Sequence, residues 1–530
     1  MENILIHGGE IIDGLGSPSY QSDILISNSK ISSIGDFSKL DNIKKINAKG
    51  KIVCPGFIDI HSHADFSIYV DGLCQSALRQ GITTVVTGNC GHGPAPAPNK
   101  ELAIRNTIGY NEEWRIGIQW SSFQEYLEKL FENKISMNLA PLVPHGAVRL
   151  AAMGPENRKP NSKEISLMED YVKEAMSAGA IGLSSGLEYA PGQYANEAEL
   201  TTLGKIVSKF NGIYASHIRE RGDNFESAVI EALNIARNSE IPVQLSHLAP
   251  RPYAPKNSLN KVLSLIDDSR KNGMQIGIDT FPDIWGPAHL LDLLPREILD
   301  GTEKEVLLRL NDPGTALECE KYIQNRSNYL LRTGGFDSFF LSNTKSYPEF
   351  LEKSLEEISE IFHLNRSETI LKLASADGID FQNVLIRHIF ANQSDLDQLL
   401  LNSYCSVESD GVVGSKSGIL KTLAMNRSSF GYAPRFIQEY SIERKLFTLE
   451  ESIRKMTSLP ASSAKISNRG VIKENMKADI VIMDENKIKD NTTDSSTMEY
   501  PDGIETVLVN GQIVINAENH SGIKCGELVK

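Results

Sequence analysis

The sequence is poor in basic residues, in cysteine and in long apolar runs. Its 530 residues include 54 Lys+Arg against 68 Asp+Glu, a net charge of −14, which argues against a nucleic-acid partner because phosphate binding needs a basic face. No segment approaches the roughly 20 apolar residues that cross a bilayer, and the N-terminus lacks the pattern of a secretory leader. The six cysteines form neither a CxxC pair nor a disulfide framework. These absences predict a cytoplasmic globular protein without a membrane partner.

Both ends of the chain have the composition of short strands. Residues 23–26 and 30–34 are strand-like, and residues 478–483 resemble them at the far end. Asn510-Gly511, between two apolar runs, is a strong two-residue hairpin turn. We therefore predict that residues 1–55 and 470–530 together form a small β-sandwich domain, although hairpins that decorate each end separately would fit the same pattern.

The middle of the chain repeats one unit, a short apolar run that ends in a polar residue and is followed by a helical stretch. The runs are 58–60, 83–86, 138–143, 180–183, 213–216, 243–246, 275–278 and 405–409. Eight such units predict an α/β fold, a (β/α)8 TIM barrel over residues 56–469, with reactive side chains at the carboxyl ends of the strands. The long gap before the eighth run predicts an inserted helical subdomain or lid over residues 282–402, between strands 7 and 8.

Several histidines stand at these predicted strand ends. His61 and His63 are two residues apart, so both imidazoles lie on one face of a strand and reach one ion. An HxH pair alone is weak evidence, because it is common by chance. The case is strengthened by further ligand types at other strand ends, which are His217, His247 and Asp410.

Cys90 lies in a glycine-rich segment after the second predicted strand. A lone cysteine is usually a small buried hydrophobe. At a barrel mouth, however, a thiolate with two neutral imidazoles is a good zinc-binding set that leaves a fourth position for water.

Several segments of the sequence, among them those that carry these candidate ligands, resemble the amidohydrolase superfamily and, more narrowly, its D-aminoacylase (N-acyl-D-amino-acid deacylase) family. The similar segments are 55–63, 81–91, 182–189, 216–219, 244–248, 409–411 and 454–461. The likeness spans nearly the whole chain except part of 290–400, and its specific element is the Gly-Asn-Cys-Gly loop at 88–91, because most relatives bridge their metals with a modified lysine or a glutamate. The resemblance implies a zinc-dependent enzyme that removes an N-acyl group from a D-amino acid, or from a peptide or natural product that contains one.

The resemblance also implies roles for individual residues. A tight zinc ion would be held by Cys90, His217 and His247, and a second, weaker ion by His61, His63 and Asp410. Asp410 would take a proton from the attacking water and pass it to the leaving amine. His145 or Tyr189 would assist at the oxyanion, and Tyr189 matches a family tyrosine that faces the substrate.

The predicted substrate pocket departs from the family pattern. Ala249 stands where D-aminoacylases carry a lysine that helps hold the substrate's carboxylate, although Arg251 is near and Arg427 is the best candidate for a second arginine. Asp283 adds an acid that would meet an amine or guanidinium on the substrate, since an unpaired buried carboxylate is costly. Alternatively, Asp283 is solvated, or the two arginines restore carboxylate binding. We expect simple N-acetyl-D-amino acids to be poor substrates.

Two other functions remain open at this point. A cyclic-amide hydrolase of the dihydroorotase or hydantoinase type would carry a bridging lysine after the fourth strand, where this chain has Gly-Leu-Ser-Ser at 182–185. A non-catalytic scaffold with the same fold would have lost the HxH pair and the eighth-strand aspartate, which this chain keeps. The sequence does not indicate an oligomeric state.

Overall fold

The computed structural model describes residues 3–37, 39–325, 329–378, 381, 384–423, 425–494, 496–517 and 519–530. Its strands are β1 (Ile4–Ile11), β2 (Tyr20–Ser27), β3 (Lys30–Gly35), β4 (Lys44–Asn47), β5 (Ile52–Pro55), β6 (Phe57–Asp59), β7 (Ile82–Thr87), β8 (Asn138–Pro144), β9 (Gly182–Gly186), β10 (Ile213–His217), β11 (Val243–Leu245), β12 (Ile276–Thr280), β13 (Trp285–His289), β14 (Phe339–Asn343), β15 (Leu385–Ile389), β16 (Cys405–Val407), β17 (Ile480–Met483), β18 (Ile504–Val509), β19 (Gln512–Asn516) and β20 (Asn519–His520).

The helices alternate with the strands through the middle of the chain. They are α1 (Ser67–Val70), α2 (Gln75–Arg79), α3 (Lys100–Arg105), α4 (Phe123–Glu132), α5 (His145–Met153), α6 (Ser162–Ala178), α7 (Glu197–Lys209), α8 (Phe225–Ser239), α9 (Ser258–Lys271), α10 (Glu303–Leu310), α11 (Pro313–Ile323), α12 (Tyr329–Arg332), α13 (Leu355–Phe362), α14 (Arg366–Ala376), α15 (Gln393–Leu401), α16 (Ser428–Arg435), α17 (Leu449–Met456) and α18 (Ser458–Ser463). Among the described residues, none of the helices has the length and apolar character needed to cross a membrane.

Eight parallel strands form the barrel in the order β6, β7, β8, β9, β10, β11, β12 and β16. The first and last strands meet at a seam, where Ser62 and Gly411 form a parallel bridge and the His63 backbone N–H donates to Gly411 O at 2.8 Å. The predicted (β/α)8 fold is therefore confirmed. These strands are almost entirely buried, as expected for parallel strands with helices outside and packed side chains inside.

The two ends of the chain share one nine-stranded sheet. Its order is β20, β19, β18, β17, β5, β1, β2, β3, with β4 paired to β1. β5 lies between β17 and β1, so a C-terminal strand and an N-terminal strand hydrogen-bond to the same neighbour. Residues such as Ile24, Val53 and Leu508 are fully buried in the apolar core that this sheet encloses.

A buried polar network joins this sheet to the amino-terminal end of the barrel. Arg469 pairs with Asp479 and Glu527, and it donates to Asn510 Oδ1 at 3.1 Å. Asp479 also accepts from the side chain of Asn138, the first residue of β8, at 3.1 Å. We call these five residues the base network. Opposite charges and amides pair with one another in it, as buried polar groups generally require, and Arg469 Nε is the atom that has no partner among the described residues.

The insertion after the seventh barrel strand is not purely helical. β13, β15 and β14 form an antiparallel sheet in that order, and α10–α14 pack with it around a separate apolar core that includes Val306, Leu341 and Ile370. α15, in contrast, buries Leu399 against the barrel. The structure thus differs in two ways from the predicted helical subdomain over residues 282–402: it contains a sheet, and its last helix belongs to the barrel. The sheet was missed because five-residue strands that contain proline or polar residues give little periodic signal.

Candidate metal centre and substrate cavity

A cavity of about 510 Å³ opens at the carboxyl ends of the barrel strands. Its floor is formed by strand-end residues, which are His63, Cys90, His217, His247 and Asp410. The inserted subdomain also lines the cavity, for example through Ala288 and Leu385. This is the position at which barrel enzymes place their active sites.

Three of the predicted ligands surround the sulfur atom of a fourth, Cys90. Cys90 Sγ lies 3.1 Å from His61 Nε2, 3.5 Å from His247 Nε2 and 3.6 Å from His217 Nδ1. Ligand atoms around a tetrahedral zinc ion lie about 3.3–3.8 Å from one another. The distances from the sulfur to His217 and His247 fall in this range, the distance to His61 is slightly shorter, and the chemistry of the thiol and imidazoles suits this metal.

A second group shares His61 with the first. Asp410 Oδ1 lies 3.2 Å from His63 Nε2 and 3.6 Å from His61 Nε2. The structure thus forms two overlapping groups of three close ligand atoms, one with Cys90 and His247 and one with His63 and Asp410, and His61 belongs to both.

Local backbone geometry places these ligands. Cys90, His247 and Asp410 adopt positive φ angles of 55°, 33° and 42°, a region that residues other than glycine rarely occupy. Each lies just after a strand, where the chain must turn to hold the side chain over the barrel mouth. Strain of this kind concentrates at functional sites.

Buried acids orient the ligands from below. Asp279 accepts from the His247 backbone N–H at 2.7 Å, and its Oδ1 lies 3.7 Å from His61 Nδ1. Asp59 accepts from the Ser409 hydroxyl at 2.6 Å, which holds the turn that precedes Asp410. Such outer carboxylates fix the orientation of metal-binding imidazoles.

The electrostatics favour the ligand form of the thiol. Burial alone would raise the pKa of Cys90, but the charge of His61 and hydrogen bonds with His217 and His247 hold the pKa well below its ordinary value. Burial also lowers the pKa of His247 to about 4, assisted by the charge of His217. A thiolate and a neutral imidazole are the protonation states that bind zinc.

One wall of the cavity carries two arginines. Glu188 accepts from Arg221 at 3.4 Å through Oε2 and from Arg251 at 3.2 Å through Oε1, and it also accepts from His217 Nε2 at 2.8 Å. Both guanidinium groups lie over the ring of Phe390, at 4.4 and 5.8 Å from its centroid. Burial would raise the pKa of Glu188, but the two arginines hold it well below its ordinary value. The cluster therefore carries a net positive charge beside the metal ligands.

Comparison with known proteins assigns the chain to a family. The model of the amidohydrolase family (Amidohydro_3) matches residues 44–295 and 415–515, more than half of the sequence. The chain belongs to the amidohydrolase family. N-acyl-D-glutamate deacylase of Alcaligenes xylosoxydans xylosoxydans is 29% identical over 511 residues, which cover 96% of this amidohydrolase and 93% of the relative.

Solved structures agree with this assignment. N-acyl-D-glutamate deacylase from Bordetella bronchiseptica, crystallised with zinc and a phosphonate inhibitor that mimics the tetrahedral intermediate, has a TM-score of 0.81 and 27% identity, and the match covers 100% of this chain and 99% of that one. A D-aminoacylase has a TM-score of 0.82 and 26% identity over 100% of both chains. That protein has a binuclear metal centre, in which one metal activates and the second attenuates. The predicted resemblance to the D-aminoacylases is confirmed.

Tyr189 lines the cavity of this amidohydrolase, as expected for a residue that faces the substrate. Its hydroxyl donates to Cys90 O at 2.9 Å, and its ring stacks on His92 with centroids 4.8 Å apart. Burial and the neighbouring Cys90 raise the pKa of Tyr189 well above its ordinary value. The hydroxyl therefore keeps its proton and remains a hydrogen-bond donor.

His145 does not line the cavity of the amidohydrolase barrel. Its Nε2 donates to Glu199 at 2.9 Å, and Glu199 also pairs with Arg149 at 2.9 Å. All three side chains are buried. This geometry gives the expected oxyanion role of His145 no support, because the imidazole is held in a charged network at the start of α5 and α7.

Asp283 and Arg427 are also absent from the residues that line the cavity. Asp283 Oδ2 accepts from Arg427 Nε and Arg435 Nη1, each at 2.5 Å. The premise that Asp283 is an unpaired acid in need of a cationic substrate is therefore wrong. Of the three substrate-binding candidates with charged side chains, Arg251 is the one that lines the cavity.

Sequence reasoning missed many of the polar residues that line the cavity, and three of those missed stand close to the predicted ligands. They are His92, Glu188 and Arg221. His92 follows Cys90 by two residues and Arg221 follows His217 by four, so both stand within a turn of a predicted ligand. Glu188 directly precedes Tyr189. A short separation in sequence from a predicted strand-end ligand or from Tyr189 is the signal that could have identified them.

Proposed function

We propose that this amidohydrolase is a zinc-dependent deacylase that removes the acyl group from an N-acyl-D-amino acid. The observation that carries the proposal is the convergence of the Cys90 thiol with three imidazoles on the floor of a cavity that also presents a cationic wall. The zinc-containing relative with a tetrahedral-intermediate mimic supports the same chemistry.

The metal ligands divide into a tight and a weaker set in this proposal. Cys90, His217 and His247 hold the tight zinc ion, and His61, His63 and Asp410 hold the second, weaker one. The short distance from His61 to the Cys90 sulfur supports a role for His61 between the two positions. The attenuating second metal of the D-aminoacylase neighbour supports unequal sites.

The chain's own residues handle the proton and the substrate. When bound, zinc polarises an amide carbonyl and lowers the pKa of water to about 7. Burial would raise the pKa of Asp410, but the hydrogen bond with His63 and the charge of His61 lower it. Asp410 is therefore an ionised carboxylate that accepts the proton of the attacking water and delivers it to the leaving amine. Tyr189 keeps its single proton and donates it to the developing oxyanion in place of Cys90 O, its partner in this structure.

Arg251 binds the α-carboxylate of the substrate. It is buried, lines the cavity and is held by Glu188 and by His388 Nε2 at 3.2 Å. Arginine suits this role because its planar fork matches a carboxylate. The lysine that D-aminoacylases use is replaced here by Ala249, which is apolar and fully buried.

A hydrolysis screen with metal analysis tests the function. Purified protein is assayed on N-acyl-D-amino acids, their L-enantiomers, hydantoin and dihydroorotate, and its zinc content is measured on the same sample. We expect stoichiometric zinc and hydrolysis confined to the D-acyl compounds. Ring opening of a cyclic amide, or protein that holds no zinc, would contradict the proposal.

The competing functions lack a structural counterpart. Ser184 and Ser185, at the end of the fourth barrel strand, are buried and hydrogen-bonded, with Ser184 accepting from the Gly91 N–H at 3.0 Å and Ser185 within 2.6 Å of the Tyr214 hydroxyl. No lysine stands at 182–185 to bridge two metals.

All six cysteines, which lie in the described part of the chain, are free, and this supports the predicted cytoplasmic location.

A further inference from the structure

The cavity has two chemically different walls. The cationic wall consists of Arg221, Arg251 and Glu188, described above. The other, which we call the apolar wall, is formed by two loops of the barrel mouth, and its members are Ile108, Tyr110, Trp114, Val412, Leu423 and Met425.

The two walls lie on opposite sides of the metal ligands. The apolar loops follow β7 and β16, which flank β6 in the closed barrel. Arg221 and Arg251 follow β10 and β11, and β10 is four places from β6 in the eight-stranded order. In a barrel of eight strands, elements four places apart face each other across the axis.

The apolar wall is preformed. A Cβ added at Gly109 would lie 3.4 Å from Leu423 Cδ1 and 3.6 Å from Val412 Cγ1, so the two loops touch each other. The ring of Trp114 stacks on Phe66 with an interplanar angle of 9°. Phe66 is fully buried, so the aromatic part of the wall rests on the barrel core.

The members of the apolar wall differ in how much surface they expose. Val412, Met425 and Tyr110 are only 3%, 7% and 8% exposed and form its packed base. Ile108, Trp114 and Leu423 are half-buried, so their contacts with a ligand would remove water from apolar surface, which is favourable by about 0.8 kcal/mol per methylene group. A cavity of about 510 Å³ falls in the range of about 300–1,000 Å³ that holds drug-sized ligands.

We infer that the substrate's acyl group is a medium or long alkyl chain that binds to the apolar wall. This inference rests on the proposed function and names its substrate class. The amide carbonyl must lie at the metal ligands, and a trans amide directs its two substituents in opposite directions. With the α-carboxylate on Arg221 and Arg251, the acyl chain extends toward Val412 and Leu423. The preferred substrates are amphipathic N-acyl-D-amino acids.

Chain-length dependence of kcat/KM tests the inference. N-acetyl, N-hexanoyl and N-octanoyl derivatives of D-methionine and D-glutamate are compared at zinc saturation. We expect kcat/KM to rise at least about tenfold from acetyl to hexanoyl on the better amino acid, since four methylene groups are added. A flat or falling series would overturn the inference and leave the deacylase function standing. Hydrolysis of none of the six compounds would overturn both.

A variant localises the effect to the wall. Leu423→Asp places a charge on the path of the acyl chain, so kcat/KM for the octanoyl compound should fall at least about tenfold further than for the acetyl compound. Leu308→Asp, at a residue of α10 that is 73% exposed, is the matched control and should leave the acyl-length series unchanged. An equal fall for both compounds in Leu423→Asp would overturn the assignment. The wild-type series needs no variant and decides the inference if Leu423→Asp does not fold.

Discussion

Two buried polar clusters lie at opposite ends of the same barrel and differ in how their polar groups are paired. In the base network, a cation, two carboxylates and two amides pair with one another. At the mouth, imidazoles and a thiol crowd together, and His61 Nδ1 and His63 Nδ1 have no hydrogen-bond partner among the described residues. A cluster whose charges pair with one another stabilises a fold, whereas one that gathers the lone pairs of ligand atoms favours an external cation.

Loss of the thiol should have the largest effect on the mouth. We expect Cys90→Ala to lose zinc and to lower kcat by at least about 10³, because the water is no longer activated. Zinc content and steady-state kinetics on the same preparation measure this. Cys54→Ala, at a fully buried thiol of β5, is the matched control and should keep zinc. Full zinc in Cys90→Ala would show that the tight site is misplaced.

The base network should respond in stability instead. Arg469→Met leaves Asp479 without its cation, so the free energy of unfolding should fall by about 3–5 kcal/mol, as when one partner of a buried pair is removed. Zinc content and kcat of the folded protein should stay at wild-type values. Lys477→Met removes a more exposed partner of Glu527 and should cost about 0–1 kcal/mol. Loss of zinc in Arg469→Met would refute the separation between the two clusters.

A smaller change separates proton transfer from metal binding within the mouth. Asp410→Asn keeps the shape of the side chain, so the tight zinc ion should remain while kcat falls by at least about 10². Metal analysis and turnover are measured together. Near-normal turnover would remove Asp410 from the role of base.

The weakest expected effect concerns pH. Burial alone would lower the pKa of His63, but hydrogen bonds with Asp410 and Cys90 raise it to about 9. The metal-free imidazole therefore holds a proton below pH 9 and must release it when an ion binds. The Kd of the second metal should therefore fall as the pH rises from 6 toward 9. Titration calorimetry across this range measures it, and a flat profile would contradict the assignment of His63.

The barrel was predictable from the sequence because each strand is an apolar run with a polar terminus. The predicted metal ligands stand at or shortly after the ends of those runs, and all of them lie at the mouth. Predictions that depended on partners from distant elements did less well. The neighbours of His145 and Asp283, which are Glu199 on α7 and Arg435 on α16, come from 54 and 152 residues away along the chain. Local patterns carry no information about such contacts.

The position of β5 in the sheet of the two chain ends bears on synthesis. Its partner β17 starts at Ile480, so one edge of β5 stays open while the ribosome makes the barrel. At about 5–20 residues per second, this interval lasts on the order of 20–85 s. During it the nascent chain exposes a strand edge of the type that templates aggregation. The sheet that joins the two chain ends therefore cannot close until translation is nearly finished.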